Sequence, residues 1–344
     1  MRSTVIESDM TDSTVQSCAR CVLTGAIPNI TFDERSICSV CREYEASAEV
    51  YTRYFKSEGD LRDLLKRVHE QRRSPYDVLL MYSGGKDSTY VLYRLVKEFN
   101  VDIMALTFDN GYLPAGCFEN IEHVCKDLGV ESVIVSVPKQ KMDEAFAIGL
   151  QTHASVCGPC FRGLSAKGTE LALSKGIPVV MTGLSRGQIF NAKVHNLVSN
   201  GVTDPDDIEQ YLSKFREMFH TTRDRTRELV EDTVGDNLDG FRDIQFIDFF
   251  RYSAVTKPEI VDYLKQQAPF WRKPANVGGC SSNCMINDVG VKVHMDKRGY
   301  HNYALPTAWE VRFGHLTRDE ALSELNTGID LRRVDTLLRK LRRY

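Results

Sequence analysis

The chain has 344 residues, 42% of them apolar and 26% charged, with a net charge of −3, an ordinary composition for a soluble globular protein. No run approaches the ~18 apolar residues of a membrane span. The near-neutral balance argues against a large nucleic-acid footprint and leaves room for a local basic patch such as Arg332 to Arg343.

The first stretch, Met1 to Asp12, is polar and carries no apolar signal core, so residues 1–15 read as a flexible N-terminus and the protein as cytoplasmic. Ten cysteines in such a chain point away from disulfides and toward metal or redox chemistry. Cys18 and Cys21 form one pair, Cys38 and Cys41 another, with sixteen residues between the pairs. This is the spacing of a four-thiolate zinc site. Too little apolar sequence lies there for an independent core, so the metal itself is expected to stabilise a zinc ribbon over residues 16–45. Residues 46–75 read as a helical connector, with Leu61, Leu64, Leu65 and Val68 at helical spacing.

Beyond it, strands and helices alternate: strand 77–83, helix 88–99, strand 102–108, helix 117–128, strand 132–137. Ile177 to Gly183 reads as a fourth strand and Asp243 to Phe250 as a fifth. That alternation predicts an α/β fold, a doubly wound parallel sheet. Such sheets bind ligands at the carboxyl ends of their strands. The first strand-to-helix junction is Tyr82-Ser83-Gly84-Gly85-Lys86-Asp87-Ser88-Thr89. Strand, glycine turn and helix start together aim backbone N–H groups and the positive helix end at a phosphate. Gly84 and Gly85 permit close approach, Ser83 and Ser88 offer hydroxyls, and Lys86 offers charge. Asp87 can cap the helix or help to hold Mg2+. The spacing is not the longer Walker A pattern.

This junction resembles the SGGxDS signature of the PP-loop ATP pyrophosphatases. The resemblance implies an adenine nucleotide alpha-hydrolase-like domain over residues 76–300 that binds ATP with Mg2+, transfers AMP to a carbonyl oxygen and releases pyrophosphate. It places Ser83, Gly84, Gly85, Lys86, Asp87 and Ser88 on the phosphates, with Lys86, Asp87 and Ser88 in catalytic roles. Phe108, Asp109 and Asn110, at the end of the second strand, are then expected to line the adenosine. Gly183, ending the fourth strand, borders the nucleotide, and Arg186 is a candidate for phosphate or substrate.

A second cysteine group comprises Cys157 and Cys160, just ahead of a predicted helix, and the distant Cys280 and Cys284. Glycines and serines around both pairs favour irregular backbone. Soft thiolates near an ATP site suit either zinc or an iron–sulfur cluster, and spacing alone leaves both open. Cys117 and Cys125 read as plain thiols. Residues 199–239 form a charge-rich helical insert, Thr256 caps a later helix, and residues 301–344 form a C-terminal helical region.

Two branches of the superfamily divide the remaining resemblance. The ribbon with Pro28 to Glu34, and the stretch Leu316 to Leu322, look like the N-acetyl sugar amidotransferases, which use ammonia from a partner glutaminase. Cys157 to Leu164 looks like the iron–sulfur-dependent tRNA thiolases, in which a [4Fe–4S] cluster carries sulfide to an adenylated substrate. The second cysteine group tips the expectation to sulfur, from a sulfur donor, with nitrogen as the alternative. A small-molecule acceptor is favoured over tRNA, and a homodimer is expected. A reading of another class is a non-catalytic protein that binds a nucleotide and zinc.

Overall fold

The computed structural model describes residues 15–222, 225–230, 238–275 and 283–344. Five strands, β1 (Val78–Met81), β2 (Ile103–Asp109), β3 (Glu131–Ser136), β4 (Val179–Thr182) and β5 (Gln245–Asp248), make one sheet in the order β3-β2-β1-β4-β5. All four pairings are parallel, with Val78 opposite both Ile103 and Val179. The expected doubly wound sheet is therefore present, with strands shorter at one or both ends than the apolar runs. After β1 the chain builds to one side, and from β4 it builds to the other. The divergence between β1 and β4 is where such sheets open a ligand crevice.

Side chains alternate across the sheet, as strand geometry requires. Val78 and Leu80 join a core with helices α3 (Lys86–Lys97), α4 (Ala115–Leu128) and α8 (Lys257–Gln267), numbering the helices introduced here in chain order. Leu79 and Met81 join the opposite core against α6 (Cys157–Lys175), which follows α5 (Lys139–His153). Central strands buried on both faces explain why β1 and β2 are almost wholly apolar. Helix α6 lies tight on the sheet because the two glycines that face it, Gly163 and Gly168, have no side chain. A Cβ at Gly163 would fall 2.6 Å from Phe108 Cζ, and one at Gly168 would fall 2.0 Å from Met81 Cε.

The ribbon lies ahead of the sheet with α1 (Ser39–Ala46), and α2 (Glu58–Gln71) supplies the expected connector helix, burying Leu61, Leu65 and Val68. The insert is built on α7 (Pro205–Thr221), started by Asp204. Helix α8 has the predicted Thr256 cap, reinforced by Glu259. Beyond the sheet come α9 (Asn287–Arg298), α10 (Ala304–Arg312), α11 (Arg318–Leu325) and α12 (Leu331–Leu341). The two ends of the chain share one core: Cys18, Leu23 and Ile27 of the ribbon pack with Ala308, Ala321 and Leu325. No described helix is long and apolar enough to cross a membrane.

Candidate functional site

The glycine turn sits at the carboxyl end of β1 and opens α3, with Gly85 at the helix N-cap and no side chain capping it. The unpaired N–H groups of that first turn are what an anion would use. Gly84 has φ +71°, and a Cβ on it would lie 2.5 Å from the Cys117 carbonyl oxygen, so both backbone shape and space demand glycine. The Gly84 carbonyl accepts from Asn120 Nδ2 at 2.8 Å and from Trp271 Nε1 at 3.1 Å, which fixes the turn from behind. Ser83 and Ser88 pair their hydroxyls at 3.2 Å. Lys86 Nζ rests on Asp87 Oδ1 at 2.6 Å, both side chains about a quarter exposed (23% and 22%), a pairing weak enough to exchange for a phosphate.

Other expected nucleotide contacts are placed as follows. Gly183 packs against the start of α3, where its Cβ would lie 3.5 Å from Ser88 Cα. Asp109 accepts the Gly111 N–H at 2.8 Å, closing the turn after β2. Phe108 is buried in the core against Gly163. Arg186 gives its Nε–H to the Phe250 carbonyl at 2.9 Å and lays its guanidinium over the Phe55 ring at 4.5 Å. Burial lowers its pKa, partly countered by Glu310. Between Arg186, Asp87, Lys257 and Glu310 is a cavity of about 20 Å3, room for one water.

Asn110 is positioned differently from the expectation. It is 4% exposed, its Oδ1 accepts the Tyr112 N–H at 2.9 Å, and its Nδ2 donates to Cys160 Sγ at 3.3 Å and Cys284 Sγ at 3.2 Å. The structure thus brings the two halves of the second cysteine group together on a residue assigned to the nucleotide. Burial, with Cys284 and Cys157 adding to it, pushes the Cys160 thiol up to about 12 despite the Asn110 hydrogen bond. Burial likewise pushes Cys284 up to about 11.

Cys157 and Cys160 belong to the first turn of α6, which corrects the irregular backbone expected there: Pro159 is tolerated that early in a helix because its missing N–H would have no partner. Cys157 is exposed, 3.9 Å from the Tyr303 hydroxyl. Cys280 lies outside the described residues. Among the described residues, Cys157, Cys160 and Cys284 do not close to the mutual spacing of one tetrahedral ion.

The ribbon cysteines do. Cys18, Cys21, Cys38 and Cys41 are all buried, with Cys18 and Cys41 sulfurs 4.0 Å apart and Cys21 and Cys38 sulfurs 3.7 Å apart. The edge of a tetrahedron with Zn–S bonds near 2.3 Å is about 3.8 Å. Backbone N–H groups of Arg20, Cys21 and Cys38 point at Cys18 Sγ, at 3.3 to 3.4 Å. Arg312 of α10 places Nη2 3.4 Å from Cys21 Sγ and 3.7 Å from Cys38 Sγ. Burial works against its charge, and the Cys21, Cys41 and Cys38 sulfurs more than offset that, so its pKa rises. Helix α10 also carries Glu310, which accepts the Gly187 N–H at 2.7 Å and so joins the ribbon's support to the short helix Arg186–Ile189 after β4. Among the described residues the other group with ligand-like atoms, His69, Asp77 and Asp102, is held by Arg72 at the far ends of β1 and β2.

Residues 76–113, from β1 through the glycine turn to the end of β2, match the family described as the diphthamide synthase N-terminal domain. An uncharacterized protein of Methanocaldococcus jannaschii is 22% identical over 312 residues, 90% of this chain and 92% of that protein. Among solved structures, the U34-tRNA thiolase NcsA of Methanococcus maripaludis, with its [4Fe–4S] cluster, aligns at a TM-score of 0.40 with 15% identity, over 87% of this chain and 86% of that one. NMN synthetase of Francisella tularensis aligns at a TM-score of 0.38 with 13% identity, over 77% of this chain and 91% of that one.

Proposed function

We propose that the chain is an ATP-dependent enzyme that forms AMP and pyrophosphate by adenylating a carbonyl or amide oxygen of its substrate. The observation that carries this reading is the Ser83–Ser88 turn, which presents uncapped helix N–H groups at the carboxyl end of β1, beside the β1/β4 divergence. The match of residues 76–113 to the diphthamide synthase N-terminal domain supports it, since it begins with β1 and spans the whole turn. In the first step the substrate oxygen attacks the α-phosphorus, a new P–O bond forms, and pyrophosphate leaves. In the second a nucleophile attacks the activated carbon and AMP leaves. Lys86 and the turn's N–H groups neutralise phosphate charge and hold the reactants in line. Asp87 would help to hold Mg2+, which would neutralise part of the phosphate charge.

For the nucleophile we favour sulfur. Asn110 gathers Cys160 and Cys284 at the end of β2, the strand next to β1, with Cys157 in the same first helical turn as Cys160. Cys157 and Cys160 with one cysteine of the Cys280/Cys284 pair would hold a [4Fe–4S] cluster whose fourth iron, left without a thiolate, would carry sulfide from a sulfur donor; Asn110 donates to Cys160 and Cys284. Nitrogen from a partner glutaminase is the second reading. It is favoured by the shared core of the ribbon and the Leu316–Leu322 region, the two parts that look like the sugar amidotransferases. The acceptor is a small molecule in both readings, the protein is cytoplasmic, and two copies form a homodimer.

Anaerobic purification followed by zinc, iron and sulfide analysis, with pyrophosphate release measured on candidate acceptors, tests the reading. A brown protein holding one zinc and four irons is expected. A colourless protein with two zinc ions overturns sulfur delivery, and failure to release pyrophosphate with any acceptor favours the non-catalytic reading.

A further inference from the structure

The mouth of the glycine turn is filled by the chain itself. Asn283 donates through Nδ2 to Ser83 Oγ at 3.3 Å. Its carboxamide presses on Gly85 so closely that a Cβ there would lie 1.7 Å from Nδ2. A phosphate oxygen accepting from the turn's N–H groups must sit about 2.9 Å from their nitrogens. The carboxamide occupies the place of the N-cap side chain that Gly85 lacks, at the mouth of those N–H groups. A phosphate drawn to those N–H groups therefore meets the amide first.

The residue after Asn283 is Cys284, tied through Asn110 to Cys160. The chain then runs straight into α9: the Met285 N–H donates to the Tyr112 carbonyl at 2.9 Å and the Asn287 N–H to the Cys284 carbonyl at 3.1 Å. No flexible spacer separates the amide on the turn from the thiol on Asn110. Tyr112 is in the same short loop as Asn110, so the Cys284 and Met285 contacts end on the loop after β2, while the Asn283 carbonyl accepts from Cys117 Sγ of α4 at 3.8 Å.

We propose that Asn283 holds the phosphate seat of the glycine turn closed, and that a bound nucleoside triphosphate displaces its side chain and shifts Cys284 relative to Cys160. The inference rests on the ATP reading above and adds to it a link between the nucleotide and the second cysteine group. Occupancy of the turn is then felt at the thiols before any chemistry occurs.

The test uses the full chain and Asn283→Ala with an α,β-methylene analogue of ATP and Mg2+. Affinity is measured by calorimetry, and protection of the Met285 amide by hydrogen exchange. Asn283→Ala is expected to bind the analogue about three- to tenfold more tightly, because one hydrogen bond no longer has to be given up. In the unaltered chain the analogue is expected to speed Met285 exchange about fivefold or more, and to change it less in Asn283→Ala. Weaker binding by Asn283→Ala assigns the residue to support of the turn and overturns the proposal. Binding with Met285 exchange unchanged overturns the link to Cys284 while leaving the ATP reading intact. No binding by either protein removes both.

Discussion

Asn110 Nδ2 and Cys284 Sγ, 174 positions apart in sequence, lie 3.2 Å apart in the fold. The contact joins the loop after β2 to the segment that enters α9, and Cys160 on α6 is drawn into it from a third direction. A carboxamide fixed by its own Oδ1 to the Tyr112 N–H can aim its N–H groups only one way. Two sulfurs that share such a donor are placed by the backbone of β2, next to the strand that leads into the glycine turn.

Lys86→Ala is expected to lower pyrophosphate release by about 100-fold or more, the cost of removing a preorganised charge from a transition state. The side chain is partly exposed and its partner is only the adjacent Asp87, so the urea midpoint should stay within error of the unaltered chain. Turnover retained by a folded Lys86→Ala protein would remove this residue from the mechanism.

Arg312→Met tests the charge beside the ribbon sulfurs. With the guanidinium gone, release of zinc to a chromophoric chelator should quicken about tenfold or more. Cys18→Ser should lose that zinc and melt earlier, yet leave any visible cluster spectrum of the second cysteine group unchanged. Loss of the spectrum with the fold intact would mean that the two metal assignments are exchanged.

The glycines of α6 separate a rigid neighbour from a yielding one. Gly163→Ala drives a Cβ to 2.6 Å from the Phe108 ring, which is fixed in the core, and should cost about 1–3 kcal/mol by urea unfolding. Gly168→Ala meets the end of the Met81 side chain at 2.0 Å, and methionine can swing aside. The second change should cost less than about 1 kcal/mol, since alanine also favours the helix.

His301 gives a pH dependence. Burial, with His294 adding to it, lowers its pKa from 6.5 to about 4. The folded chain therefore keeps the ring neutral where the unfolded chain takes up a proton. Its contribution to stability is complete above pH 6.5 and is lost as the pH falls toward 4, by up to about 3 kcal/mol. His301→Gln should flatten the urea-stability profile across that window by close to one proton; an unchanged slope would show that the ring titrates normally.

How much could be read in the sequence depended on distance along the chain. The glycine turn and the ribbon cysteines are local patterns, and β1 to β5 announce themselves as apolar runs between helices. Asn283, Arg312 and the thiol-binding role of Asn110 carry no local signal, because their partners are 200, 291 and 174 positions away. Asn110 also illustrates how a position at a strand end can be identified while a partner goes unseen: the resemblance points to adenosine, and the buried amide donates to two sulfurs. The helical start at Cys157 escapes notice because Gly158 and Pro159 usually signal a break, whereas a first helical turn accepts both.

The shared core of ribbon and C-terminal helices has a consequence for synthesis. The ribbon's thiols leave the ribosome long before Arg312 and the apolar cover from Ala304 to Leu325. Nascent chains must therefore carry the knuckles half-dressed while the whole sheet is made, and the ribbon is finished only after the domain that follows it.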